Sequence, residues 1–184
     1  MGFHTFPIDR ADALEEVSRY RFLSREELVS ALSPEGTETL CDLGSGTGFY
    51  TDEVAPFVEA VYAVDLQPEM HTLYEEKGLP ENVTTITADV ADLPLSDGEC
   101  DLAVTVMTYH EFSSPESLSE VRRVLAPGGR FVVADWSRAG SGEDGPSVDE
   151  RYDAATAADQ LSTAGFTIER SDERIETFLL VASA

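Results

Sequence analysis

The sequence predicts an α/β fold: a doubly wound, mostly parallel seven-stranded sheet with an antiparallel C-terminal hairpin and an N-terminal helical cap. Three observations predict it. From Glu38 onward apolar strand patterns alternate with helical ones, as in a parallel sheet covered on both faces. Leu40-Cys41-Asp42-Leu43 is a short apolar strand that ends in an acid and breaks into Gly44-Ser45-Gly46-Thr47-Gly48, bringing backbone close to a ligand. The last two strands are joined only by Asp172-Glu173-Arg174, too few residues for a parallel crossover, so they pair antiparallel.

Each element follows from its own pattern. Residues 9–32 read as two short helices, the first with Ala11, Leu14, Val17 and Tyr20 on its apolar face. Ser24 caps the second, and Glu27 three residues later completes a capping box. Next come a strand to Leu43, a helix over about 49–57, a strand Val61-Tyr62-Ala63-Val64-Asp65 and a helix over about 68–77. Strands follow at about 83–87 and 101–106, a helix at about 115–125, a strand at about 130–135, a helix at about 151–164, and closing strands at about 166–171 and 175–182. Gly140 to Asp149, rich in glycine, serine and acids, is the clear loop signal. It leaves the carboxyl end of the sheet and reads equally as a lid or a solvated connector. The length suits one domain over 1–184: a cap over 1–34, a core over 35–136, a flexible loop over 137–150, and a helix with the closing hairpin over 151–184.

Composition bounds the partners. Asp and Glu number 36 against 12 Lys and Arg, a net charge of -24, and the basic side chains are arginines except for Lys77. Acids spread along the chain, with lysine almost wholly replaced by arginine, point to a halophile whose surface repulsion is screened by molar salt. No basic patch tracks a phosphate backbone, so nucleic acid is not the expected substrate. No apolar run is long enough to span a membrane and no secretory leader is recognisable, so a cytoplasmic setting is expected. Cys41 and Cys100 read as small buried apolar residues, and no metal site is expected. The fold is expected to lose stability as salt falls, because repulsion is then unscreened. A melting temperature that stays level from about 3 M to about 0.1 M KCl would remove the halophile argument.

The chemistry concentrates around the glycines. Asp65 lies roughly 20 residues beyond them, the spacing at which a βαβ unit delivers a carboxylate to a ribose diol. A nicotinamide site would carry Gly-x-Gly-x-x-Gly, but Phe49 stands at the third-glycine position. With its flanks, Asp42-Leu43-Gly44-Ser45-Gly46-Thr47-Gly48 resembles motif I of the class I S-adenosylmethionine-dependent methyltransferases, whose fold is Rossmann-like. Four further segments resemble that family in order: Asp65; Ala88-Asp89-Val90; Asp101 to Val106; and Arg123 to Arg130. The chain is most similar to the small ubiquinone/menaquinone-biosynthesis-like branch, which also runs His-Glu after the fourth strand and Asp-Trp after the fifth. Here these are His110-Glu111 and Asp135-Trp136.

The resemblance implies S-adenosylmethionine as cofactor and methyl transfer to a small metabolite. Gly44, Ser45, Gly46, Thr47 and Gly48 would accommodate its amino-acid and sulfonium portion, with Asp42 serving the ammonium or a bridging water. Asp65 would take the ribose hydroxyls, Leu66 the adenine face, Asp89 the exocyclic amine and the Val90 N–H a ring nitrogen. Met107 is implied beside the cofactor, and Arg19 or Arg21 would pair with the methionine carboxylate. His110 is the candidate general base or, alternatively, a packing residue. Tyr109 and Trp136 are substrate candidates, Trp136 alternatively shielding the core. Asn/Asp-Pro-Pro-Tyr/Phe, found after the fourth strand in many enzymes acting on base or glutamine nitrogens, is absent. A non-catalytic S-adenosylmethionine-binding regulatory module is the alternative to an enzyme, and oligomeric state is not legible.

Overall fold

The structure, a computed structural model, describes residues 5–184, so residues 1–4 of the expected cap lie outside the described residues. Seven strands form one sheet: β1 Thr39–Leu43, β2 Ala60–Asp65, β3 Val83–Thr87, β4 Cys100–Val106, β5 Leu125–Trp136, β6 Thr167–Glu173 and β7 Thr177–Ser183. Their spatial order is β3-β2-β1-β4-β5-β7-β6. Strands β3 to β5 in that order pair parallel, whereas β7 runs antiparallel to both neighbours. The order reverses between β1 and β4, which opens a crevice at their carboxyl ends.

Among the described residues, six α-helices cover the sheet: α1 Arg25–Leu32, α2 Phe49–Val54, α3 Pro68–Lys77, α4 Tyr109–Phe112, α5 Pro115–Val124 and α6 Ala154–Thr163. Alternation along the strands assigns side chains to two cores. Leu102, Val104, Val132 and Ala134 pack with α1, α2 and Tyr74 of α3, while Ala103, Phe131 and Val133 pack with α5 and α6. Cys41 and Cys100 are buried free thiols within the second core.

Three local expectations change. The first predicted helix is instead two 3₁₀ stretches, Ile8–Glu15 and Val17–Arg21, separated by an extended Glu16 (φ −72°, ψ 122°). The break leaves Val17 75% exposed, so no continuous apolar face runs from Ala11 to Tyr20. Contacts of Arg19 with Met107 and of Tyr20 with Glu53 outweigh the weak helical periodicity of so short a segment. Ser24 caps α1 by accepting from Glu27 N–H at 3.2 Å, but the Glu27 carboxylate turns to Arg174 rather than completing the box. The family resemblance implies a reversed seventh strand at the sheet edge, but β7 lies between β5 and β6. Its run Thr-Phe-Leu-Leu-Val-Ala is buried on both faces, while the charged β6 takes the edge, where charges discourage further strand pairing.

The 137–150 loop is fastened, which its composition does not disclose. Fully buried Arg151 donates to the carbonyls of Asp144, Pro146 (2.9 Å from Nε) and Ser137 (3.4 Å), and Glu176 accepts from Ser141 N–H at 3.0 Å. Among the described residues, no helix is long and apolar enough to cross a membrane.

Candidate active site

The carboxyl ends of β1, β2, β4 and β5, roofed by the 3₁₀ cap and the loop around Asp144 to Pro146, enclose a cavity of ≈ 650 Å³. That is ample for a nucleoside-sized ligand with a small second molecule. The glycine loop forms its floor. Gly44 and Ser45 N–H both donate to Val64 O at 2.9 Å, and Gly46 N–H donates to Asp65 Oδ2 at 2.8 Å. The β1 exit is thereby tied to the end of β2. Gly44 has φ 78° and lies so close to Thr108 that a Cβ would overlap that side chain. Gly48 has φ 81°, and a Cβ there would fall within the Tyr74 ring. Gly44 to Thr47 line the cavity; Gly48 does not, so the last glycine serves packing beneath the loop.

The two strand-end acids have different surroundings. Asp65 borders the cavity and accepts Gly46 N–H on one oxygen and Gln67 N–H on the other at 2.9 Å. A carboxylate accepts about four hydrogen bonds, so one site remains on each oxygen, enough for a diol. Burial raises the Asp65 carboxyl above its ordinary value, while the N–H bonds of Gln67 and Gly46 oppose the rise. Asp42, by contrast, is sealed beneath the loop and accepts from Thr51 Oγ1 at 2.5 Å. Burial pushes it up to about 6, with Asp65 adding to the rise and the Thr51 bond and Arg19 opposing it. The expected contact of Asp42 with a ligand ammonium is therefore not built directly. Thr51 occupies one Asp42 oxygen, and Asp42 does not itself border the cavity.

Arg19 lies on the cavity wall. Its guanidinium lies 5.0 Å from the ring centroids of both Phe49 and Tyr50, donates to Leu14 O at 2.6 Å, and approaches Met107 Sδ at 3.7 Å. It borders the cavity and, among the described residues, forms no salt bridge. Burial lowers its pKa, with nearby Tyr50, Glu15 and Asp42 opposing. A buried guanidinium held by aromatic faces and lacking a counter-ion is suited to an incoming carboxylate. Arg21 instead pairs with Asp144 at 2.7 Å on the exposed rim. Met107 adopts φ 60°, rare for a residue with a side chain, held by its N–H bond to Ala134 O at 2.7 Å. Such strain at the end of β4 is typical of a binding site.

Along the opposite wall, Leu66 is 51% exposed and presents an apolar face, and Asp89 and Val90 also border the cavity. One Asp89 oxygen is occupied by Ala91 N–H at 2.9 Å, leaving the other for a ligand amine. Ser45 Oγ is buried with no partner among the described residues, an orphan polar atom in the loop that a ligand would satisfy. Spare acceptor sites on Asp65, the unpaired Arg19, the Leu66 face and the orphan Ser45 hydroxyl together fit an adenosine bearing an amino-acid tail.

His110 also borders the cavity. Asp135, nearly fully buried, accepts its backbone N–H at 2.7 Å and lies 2.9 Å from its Nδ1. Burial works against a charged ring, but Asp135, Glu111 and Glu150 outweigh it and hold the His110 pKa above the ordinary imidazole value. Tyr109 corrects the expectation of a substrate contact. Its ring is buried under α6, with the hydroxyl donating to Gln160 Oε1 at 3.0 Å, because the short helix α4 turns it into the sheet core. Trp136 borders the cavity but is clamped by Phe22 (ring centroids 4.6 Å apart), by the Arg151 guanidinium at 5.4 Å and by Gly145.

Sequence reasoning missed Glu15, which accepts from Thr47 Oγ1 and from Lys77 Nζ at 3.2 Å, latching the cap to the glycine loop. It also missed Glu111 and the Asp135 contact with His110. The only signal for these was the pair of dipeptides His-Glu and Asp-Trp at strand ends.

Comparison with known proteins agrees with this geometry. A family model described as a methyltransferase domain matches residues 41–133. A demethylmenaquinone methyltransferase of Protochlamydia amoebophila is 31% identical over 140 residues, covering 71% of this chain and 57% of that protein. An uncharacterized methyltransferase-like protein of Schizosaccharomyces pombe is 30% identical over 128 residues, 69% of this chain and 49% of that one. The chain spans about half the length of several curated relatives it matches. The crystal structure of a SAM-dependent methyltransferase from Aquifex aeolicus superposes with a TM-score of 0.89 at 27% identity, covering 97% of this chain and 99% of that one. With the glycine loop, Asp65 and the reversed β7 in place, the chain belongs to the class I S-adenosylmethionine-dependent methyltransferases, in their ubiquinone/menaquinone-biosynthesis-like branch.

Proposed function

We propose that the protein transfers the methyl group of S-adenosylmethionine to a small metabolite by in-line displacement. The observation that carries this reading is one continuous cavity that joins Asp65 and the glycine loop to the His110–Asp135 pair. Bound S-adenosylmethionine supplies a methyl group on a sulfonium, a good leaving group. Asp65 receives the ribose hydroxyls, Leu66 and the Asp89–Val90 segment hold adenine, and Arg19 receives the methionine carboxylate. With so reactive a donor, much of the acceleration comes from aligning the acceptor and excluding water, the work of the cap and the 137–150 loop. His110 takes the proton of an acceptor that arrives protonated, through Nε2, since Nδ1 faces Asp135. Cap and loop roof a volume suited to a small acceptor, and the relative named for demethylmenaquinone also supports a small-molecule substrate. The acidic, lysine-poor composition supports a cytoplasmic enzyme of a salt-rich cell, with no nucleic-acid substrate.

Calorimetry in high salt with S-adenosylmethionine, S-adenosylhomocysteine and NAD, followed by labelled-methyl transfer into a metabolite pool, tests the reading. Binding of the first two without NAD, together with a labelled product, is expected. Binding with no product from any pool would favour the regulatory module. His110→Ala is expected to keep cofactor affinity within a few-fold while lowering turnover by roughly 10²–10⁴-fold. Because its pKa is raised, His110 loses its base form as pH falls through a point above the usual imidazole value. The rate should therefore rise with pH along a limb that disappears in the variant. Trp136→Ala should also lower turnover more than cofactor affinity. Loss of cofactor binding in both would assign these side chains to the cofactor wall.

A further inference from the structure

Two carboxyl groups flank the His110 ring, one towards each nitrogen. Asp135 accepts three bonds at once: His110 backbone N–H at 2.7 Å, Trp136 N–H at 2.7 Å, and the ring at Nδ1, 2.9 Å away. A carboxylate held so firmly keeps the proton on Nδ1 and leaves Nε2 as the nitrogen that gains or loses one. Nε2 lies 3.9 Å from Glu111 Oε1, and both Glu111 and His110 border the cavity.

Glu111 is the more unusual group. Burial, reinforced by Asp135, Asp65 and Glu150 and opposed by His110, raises its carboxyl to about 7. A carboxyl brought into the imidazole range exchanges a proton with Nε2 at little cost in either direction. An ordinary surface Glu-His pair would hold the carboxyl well below that range.

We propose, resting on the methyl-transfer reading above, that Asp135 is the positioning residue for His110 and that Glu111 is a second proton-handling residue. Together they serve an acceptor that must surrender a proton as it is methylated. The proton leaves the acceptor for Nε2 and, once side-chain motion closes the 3.9 Å gap to hydrogen-bond distance, passes to Glu111 and then to water. The acceptor's freed electron pair forms the bond to the methyl carbon, while the pair of the broken carbon–sulfur bond stays on sulfur. The charged groups facing His110 come from three elements: Asp135 on β5, Glu111 on α4 itself, and Glu150 on the 3₁₀ turn Val148–Glu150. Asp65 at the end of β2 faces Glu111.

The test is a side-chain NMR titration of the protein without cofactor, so it does not depend on turnover. In the wild type, His110 and Glu111 are expected to titrate as a coupled pair in two steps, with the neutral ring protonated on Nδ1. Glu111→Gln should leave a single His110 step, moved to lower pH because a negative neighbour is gone. Asp135→Asn should move it lower too and mix the two ring tautomers. A His110 titration that is one step in the wild type and unmoved in Glu111→Gln overturns the relay. Should Asp135→Asn fail to fold, the wild-type tautomer and Glu111→Gln still decide. Calorimetry of the wild type with S-adenosylmethionine, together with labelled-methyl transfer into the metabolite pool, separately decides the underlying reading.

Discussion

Asp65→Ala is expected to weaken S-adenosylmethionine binding by about 2–3 kcal/mol, roughly 30- to 150-fold, because two charge-assisted bonds to the ribose disappear together. The structure adds a second loss. Asp65 also accepts Gly46 N–H and Gln67 N–H, so the variant releases the glycine loop from the end of β2. Asp65→Asn, which keeps one acceptor oxygen, should fall between wild type and Asp65→Ala. Isothermal calorimetry in high salt measures all three, and an unchanged affinity in Asp65→Ala would sink the assignment of the ribose site.

Gly48→Ala is expected to act on stability instead, lowering it by about 2–4 kcal/mol. The position needs φ 81°, and its Cβ would enter the ring of Tyr74, a fully buried side chain whose hydroxyl donates to Asp52 at 2.6 Å beneath Lys77. A Cβ at Gly46 would meet only the flexible end of Leu14, at 3.3 Å. Gly46 also has φ 54°, so Gly46→Ala should cost about 1 kcal/mol of stability, less than Gly48→Ala, and lose cofactor affinity, with Gly46→Val losing more. Thermal melts beside calorimetry separate the two positions, and a Gly48→Ala variant as stable as wild type would refute the packing role.

Much of the fold was legible because its signals are local. Helix α3 begins at Pro68 and ends at Lys77, before Gly78, as the pattern indicates, and β3 spans the predicted 83–87. These boundaries are set by proline, glycine and strand alternation within a few residues. The misreadings occur where distant partners decide. Residues 8–21 gave up a regular helix because Arg19 and Tyr20 bind groups brought by β4 and α2. Tyr109 faced inward because the four-residue helix α4, too short to leave a period, rotated it beneath α6.

The site divides in the same way. By itself the sequence determined the doubly wound sheet, the glycine turn whose Gly44 to Thr47 border the cavity and the acid at Asp65, since each is written in a short run with a strict steric or spacing requirement. Only the tertiary structure decided that Thr51 bonds Asp42, that Arg19 has no counter-ion among the described residues and lies against two aromatic rings, and that Asp135 and Glu111 bracket His110. Those outcomes depend on which strands adjoin and how deeply each group is buried. Charge, hydrogen bonding and desolvation act across space between residues far apart in the chain, so local sequence pattern carries no record of them.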